Sequence, residues 1–188
     1  AKYVRFLADR IGSGLSGRRV LDLGAGEGKN AVYLARLGAD VVAVDHSEIA
    51  LGRFNQQPGY EEVSGSLVAT VADVEDVEYG DGSFDVVVAY GIFHCLDSIS
   101  SVEALVRRVQ GWVKSGGWFV GATFTDRIPP PQVQDYLSEE AFLPEGRLEE
   151  LFQGWQEVSS ENGTITESHP TSLVEHQHSI CRLIARKP

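Results

Sequence analysis

The chain has 188 residues, 43% of them hydrophobic, with two cysteines and a net charge of −11 at pH 7. That length suits one domain with a sizeable core, and the acidic balance argues against a nucleic-acid partner, which needs clustered Lys and Arg. No apolar run approaches a membrane span, no basic-then-apolar segment opens the chain, and Cys95 and Cys181 stand in no metal-ligand spacing. The expectation is a single domain over residues 1–188, reduced and cytoplasmic, with no membrane partner and no metal.

Residues 2–11 carry Val4, Phe6, Leu7 and Ile11 at helical spacing, and Gly12, Gly14 and Gly17 end that helix. A first strand is predicted over 19–23, then a helix over 29–37 stopped by Gly38. A second strand spans 40–45, and Ser47 caps a helix over 48–56 that Pro58-Gly59 closes. Residues 67–72 read as the third strand. After a turn at 80–83, the valine run within 84–89 predicts a strand buried on both faces. Val102, Leu105, Val106 and Val109 recur at helical period within 101–113, and Gly116-Gly117 leads into a fifth strand over 118–123. Strands alternating with helices mean a doubly wound parallel sheet. Residues 124–144, with prolines at 129–131, are too long for a routine connection and follow a strand's carboxyl end, so they read as a substrate lid. Leu148, Leu151 and Phe152 mark a short helix. Two terminal strands, 155–161 and 175–186, are joined by Asn162-Gly163 and a Thr/Ser-rich connector.

Chemistry concentrates in VLDLGAGEGKN at 20–30. A strand turns sharply into a helix there while a ligand lies against bare backbone, which glycine permits. Phosphate-binding dinucleotide loops space their glycines as G-x-G-x-x-G. Here Gly24, Gly26 and Gly28 fall at every second position, and Asp22 stands two residues before the first. An acid at that point would repel a pyrophosphate and would suit a cationic ammonium group. Asp45 ends the second strand about 20 residues on, where a carboxylate accepts from both ribose hydroxyls. Asp73, just past the third strand, is a third acid at a third successive strand end. Each acid alone serves equally well as a helix cap or turn residue; the ordered set does so less readily.

This combination resembles the motifs of class I S-adenosylmethionine (SAM)-dependent methyltransferases. The resemblance implies an α/β, doubly wound Rossmann-like sheet of about seven strands, mostly parallel with an antiparallel terminal strand. It implies SAM as cofactor, S-adenosylhomocysteine as product, and a cofactor site of Asp22, Gly24, Ala25, Gly26, Asn30, Asp45, His46, Asp73, Val74 and Tyr90. Asp73 would take the adenine amino group while the next backbone N–H reaches the ring. Within that class, LDLGAGEGKNAVYLA at 21–35 is similar to the tellurite-resistance methyltransferases, and so is the tail: EGRL at 145–148, GWQEV at 154–158 and LIARK at 183–187. Members of that family methylate tellurite or selenium compounds.

Methyl transfer from a sulfonium is an in-line displacement, so the protein supplies alignment, exclusion of water and, where needed, a base. AYGIFH at 89–94 departs from the D/N-P-P-Y/F pattern of nucleic-acid amino methyltransferases and points to a small-molecule acceptor. His94, His176, His178 and Arg182 are the candidate catalytic groups on the acceptor side. His94 follows strand four, and the other three share one face of the last strand. Two histidines and an arginine suit an anionic acceptor or a proton that must be removed, although a His-x-His on a terminal strand as readily faces solvent. Cys95, beside a core helix, reads as a buried thiol. Two rivals stand beside this reading. A nicotinamide-dependent oxidoreductase is disfavoured by the glycine spacing and by Asp22; a SAM-binding regulatory protein without catalysis usually loses part of the motif set. The sequence leaves the acceptor and the oligomeric state open.

Overall fold

A computed structural model describes residues 1–129, 139–169 and 172–188. In chain order they form α1 (Lys2–Ile11), β1 (Arg19–Leu23), α2 (Lys29–Arg36), β2 (Asp40–Asp45), α3 (Glu48–Leu51) and β3 (Ser66–Val71). There follow β4 (Phe84–Tyr90), α4 (Ile99–Trp112), β5 (Val113–Thr125), α5 (Arg147–Leu151), β6 (Gln156–His169) and β7 (Ser172–Arg186). The seven strands make one sheet in the order β3-β2-β1-β4-β5-β7-β6. β1 to β5 pair in parallel, and β7 runs antiparallel to both β5 and β6. The expected doubly wound, mostly parallel α/β sheet is present.

Its centre is β4, buried from Phe84 to Ala89 on both faces. Val87 and Ala89 pack with Val102, Leu105, Val109 and Trp112 of α4, whereas Val86 and Val88 pack with Val4 and Leu7 of α1 and Val32 of α2. Full burial of each such Val or Leu contributes about 1.5–3 kcal/mol relative to exposure. α4 begins two residues before its expected start, capped by Ser98, whose hydroxyl accepts from Ser101 N at 3.2 Å. β1 lies between β2 and β4, so the chain winds away from it in both directions, and a crevice opens at the carboxyl ends of these strands.

Four expectations need correction. The helix predicted over 48–56 stops at Leu51: Gly52 ends it, and the chain re-forms as a 3-10 turn at Phe54–Gln56 whose Phe54 is buried. Asn162-Gly163 does not join the terminal strands. It lies inside β6, opposite Cys181 and Ile180, because the long antiparallel ladder with β7 outweighs local turn preference. The connection lies farther on and includes 170–171, outside the described residues. Gly116-Gly117 lies within β5 rather than before it, next to a register irregularity opposite Phe84 to Val86. Cys95 is exposed rather than buried, because its turn carries it to the protein surface while Phe93 and His94 point inward. Of the segment read as a lid, 130–138 fall outside the described residues. Its described ends are packed: Thr125 bridges Leu143, and Phe142 and Leu143 are buried. Among the described residues no helix is long and apolar enough to cross a membrane.

Candidate functional site

The glycine turn after β1 is held by the end of β2. Gly24 N and Ala25 N both donate to Val44 O, at 2.9 and 3.0 Å. Gly26 N donates to Asp45 Oδ2 and Ser47 N donates to Asp45 Oδ1, each at 2.8 Å. A carboxylate oxygen accepts more than one hydrogen bond, so Asp45 keeps capacity toward the crevice. The three glycines answer to different demands. A Cβ on Gly24 would stand 2.8 Å from Ile92 Cβ, and one on Gly28 would stand 2.6 Å from the Phe54 ring. A Cβ on Gly26 would meet nothing within 4 Å. Close packing requires the outer two, and the middle one faces open space.

A cleft of about 290 Å³ lies here, lined by Gly24, Asp45, His46, Asp73, Val74, Glu75, Ile92, Cys95, Leu96 and Asp97. Asp73 Oδ1 accepts from Glu75 N at 2.8 Å, which shapes the turn after β3, and Val74 is buried beneath it. Asp22, at the end of β1, is 1% exposed, and its Oδ2 has no hydrogen-bond partner among the described residues. Burial pushes its carboxyl pKa up to about 7, against the opposing pull of the Ala1 amino group and the Ala31 N–H. Of the predicted cofactor residues, Asp22, Ala25, Gly26, Asn30 and Tyr90 do not line the cleft. Asn30 Oδ1 accepts from the Ala1 amino group at 2.7 Å, and Tyr90 packs half-buried against Phe124.

Beyond the carboxyl ends of β4 and β5, and beside the amino-terminal half of the antiparallel β7, lies an aromatic cluster. The His94 and His178 rings sandwich Phe124, at centroid distances of 3.9 and 4.1 Å and near-parallel planes, and Phe142 meets all three edge-on. His178 is fully buried, and the half-buried His176 ring lies 5.0 Å from it. Arg182 is on the same face of β7 but four residues along, about 13 Å away by strand rise. There it pairs with Glu161, which also accepts from the Tyr3 hydroxyl. The fold thus brings His94, His176 and His178 together and leaves Arg182 apart. Sequence reasoning missed Glu75, Cys95, Leu96 and Asp97 in the cleft and Phe124 and Phe142 in the stack. The usable signal was position, since 91–97 directly follow β4 at the switch in strand order. A wider depression of about 640 Å³ at the opposite rim is lined by Ser115, Trp155, Arg186 and Lys187, among others. Its cations are engaged, Arg186 by Gly116 O and Lys187 by the carbonyls of Gln110 and Val113.

Comparison with known proteins agrees with this geometry. The model of the methyltransferase domain family matches residues 21–121. The Haemophilus influenzae protein named "Probable S-adenosyl-L-methionine-dependent methyltransferase TehB" is 28% identical over 155 residues, covering 81% of this chain and 51% of that protein. A ubiquinone biosynthesis O-methyltransferase of Acinetobacter baumannii is 29% identical over 146 residues, covering 68% of this chain and 60% of the relative. The crystal structure of Haemophilus influenzae TehB superposes with a TM-score of 0.81 at 22% identity, covering all of this chain and 62% of that one. The chain therefore spans about half the length of the Haemophilus relative it matches. With the family model covering more than half its residues, and with the glycine turn and strand-end acids where that model matches, the chain belongs to the methyltransferase domain family.

Proposed function

We propose that this chain transfers a methyl group from SAM to a small-molecule acceptor. One observation carries the reading: a fully buried carboxylate, Asp22, keeps an unpartnered oxygen beneath a glycine turn whose middle Cβ position is open. Such an acid fits a ligand with a cationic head, and the residues around it fit the rest of SAM. Asp22 meets the amino group of the methionine moiety, Asp45 accepts from the ribose hydroxyls, and Asp73 with the Val74 N–H takes the adenine edge. SAM, when bound, supplies a methyl on a positively charged sulfur. The chain's own contribution is to orient the acceptor against that methyl and to keep water out. His94, Phe124 and His178, with His176 behind them, form the wall that does so.

The resemblance of residues 21–35 and of the tail to the tellurite-resistance methyltransferases favours a small chalcogen acceptor, either an oxyanion or a reduced thiol or selenol. Calorimetry with SAM and with S-adenosylhomocysteine tests the cofactor. Turnover of methyl-labelled SAM with tellurite, selenite, thiols, phenols and amines tests the acceptor. Saturable binding of NAD and none of SAM would overturn the reading. Turnover with a phenol or amine alone would remove only the chalcogen assignment.

A further inference from the structure

We propose that His94 is a fixed hydrogen-bond donor to the methyl acceptor, offering Nε2–H to it, and that the acceptor therefore enters already ionised. This rests on the methyl-transfer reading and adds the acceptor's charge state to it.

His94 stands on the 3-10 turn Phe93–Cys95, two residues past the Ile92 that covers Gly24. The residue is 8% exposed, and its ring lies flat on Phe124. The main-chain N–H of Phe124 donates to Nδ1 at 3.3 Å. A ring nitrogen that accepts carries no proton, so the neutral imidazole keeps its proton on Nε2. The adjoining Cε1 is 3.9 Å from where a Gly91 Cβ would stand, which brings that edge of the ring over the end of β4. Among the described residues no hydrogen bond meets Nε2. Nε2 is not among the buried polar atoms that lack a partner, so it stays accessible to a bound acceptor atom.

Base catalysis by this ring is closed at both nitrogens, because Nδ1 is taken by the main chain and Nε2 already holds the proton. Burial, then His178 across Phe124, pulls the His94 pKa down to about 4, so the ring stays neutral near pH 7. The titratable groups around it are His178 and, behind that, His176 on β7, with Cys95 next to it on its own turn. The transfer balances with no proton moved. A lone pair of an anionic acceptor forms the new bond to the methyl carbon, the carbon–sulfur bond breaks, and its electron pair neutralises the sulfonium. Nε2–H engages one lone pair of the acceptor atom and leaves another facing the methyl. Thiolates, selenolates and oxyanions meet this requirement. Acceptors that must lose a proton in the site do not, and neither does an amine, whose single nitrogen lone pair cannot both accept Nε2–H and attack the methyl.

Long-range 15N–1H spectra of the protein with S-adenosylhomocysteine, assigned by comparison with His94→Phe, should show a bare Nδ1 and a protonated Nε2. The opposite tautomer, or an imidazolium at neutral pH, would overturn the proposal. Turnover is then read with thiols of graded acidity and labelled SAM, and kcat/KM for each thiol should follow that thiol's own ionised fraction. His94→Gln, whose amide sets an N–H near the place of Nε2, should keep most of the activity. His94→Phe, which keeps the stack, should lose about tenfold or more, with SAM affinity unchanged in both. Full activity in His94→Phe, or equal loss in both variants, overturns the proposal, as does turnover with amines and with no thiol, selenol or oxyanion. Failure of the unsubstituted protein to bind SAM by calorimetry is read separately and removes the methyl-transfer reading itself.

Discussion

Gly26 and Gly24 differ by one turn of backbone and should fail in different ways. Both have positive φ, which costs a side-chain-bearing residue about 1–2 kcal/mol. At Gly24 the added Cβ also strikes Ile92, so Gly24→Ala should lose a further 1–3 kcal/mol or so of stability through overpacking. At Gly26 the Cβ meets only open space, on the turn against which SAM is proposed to lie, so Gly26→Val should fold and yet lose SAM binding. Thermal unfolding read beside calorimetry separates the two, and normal SAM affinity in Gly26→Val would make that glycine a turn residue only. Asp45→Ala is a third case. It removes the acceptor for the ribose hydroxyls and also frees Gly26 N and Ser47 N, so binding should weaken by about 2–3 kcal/mol. Unchanged affinity in this variant would refute its assignment.

Between elements, the turn after β3 is held by α4. Arg108 Nη1 donates to Glu75 O at 2.7 Å, its Nε lies 3.2 Å from the Glu78 carboxylate, and its guanidinium lies over Trp112. Arg108→Met keeps an aliphatic stem on Trp112 but releases the loop that carries Asp73 and Val74. SAM affinity should fall by about 1 kcal/mol, the weight of one hydrogen bond, with faster amide exchange over residues 73–78. Identical exchange in variant and parent would show that the loop holds itself. This tether also marks the limit of sequence reading. β1, β2 and α1 match their expected bounds because the two strands are short, largely apolar runs and the helix a clear apolar period, each next to strong stop signals. Asp22, Asp45 and Asp73 could be located because strand ends are local features. The Phe124 sandwich, the Ile92 cover and the Arg108 tether join residues 30 or more apart in sequence or depend on one backbone φ, and no period or spacing encodes them. Asn162-Gly163 shows the same limit from the other side, since a strong local turn signal yielded to a ladder formed with distant residues.

Across the whole molecule, the two ends of the sheet use the same side chain in opposite ways. At the amino end, burial alone would raise the pKa of Asp85, but Lys114, the Arg19 N–H and Arg18 outweigh it and hold the carboxyl below its ordinary value. At the carboxyl end, burial dominates at Asp22 and raises its pKa to about 7. A depressed native pKa means that the unfolded chain binds the proton more readily, so Asp85 stabilises the fold above its unfolded value and loses this as pH falls through its native one. A raised pKa reverses the sign. The native state holds a proton that the unfolded chain has released, so the Asp22 contribution to stability declines as pH climbs from near 4 to near 7. Asp85→Asn should therefore lower stability by about 2–3 kcal/mol at pH 7 and leave SAM affinity intact. Asp22→Asn should leave the ligand-free protein at least as stable at pH 8 and sharply weaken SAM binding. In the unsubstituted protein, a cation seated on Asp22 must displace its proton. SAM binding should accordingly release protons at pH 6 and tighten as pH rises toward 8, measurable by calorimetry in buffers of different ionisation enthalpy. Binding that releases no proton at pH 6, or that keeps its strength in Asp22→Asn, would mean the buried acid serves the fold rather than the ligand.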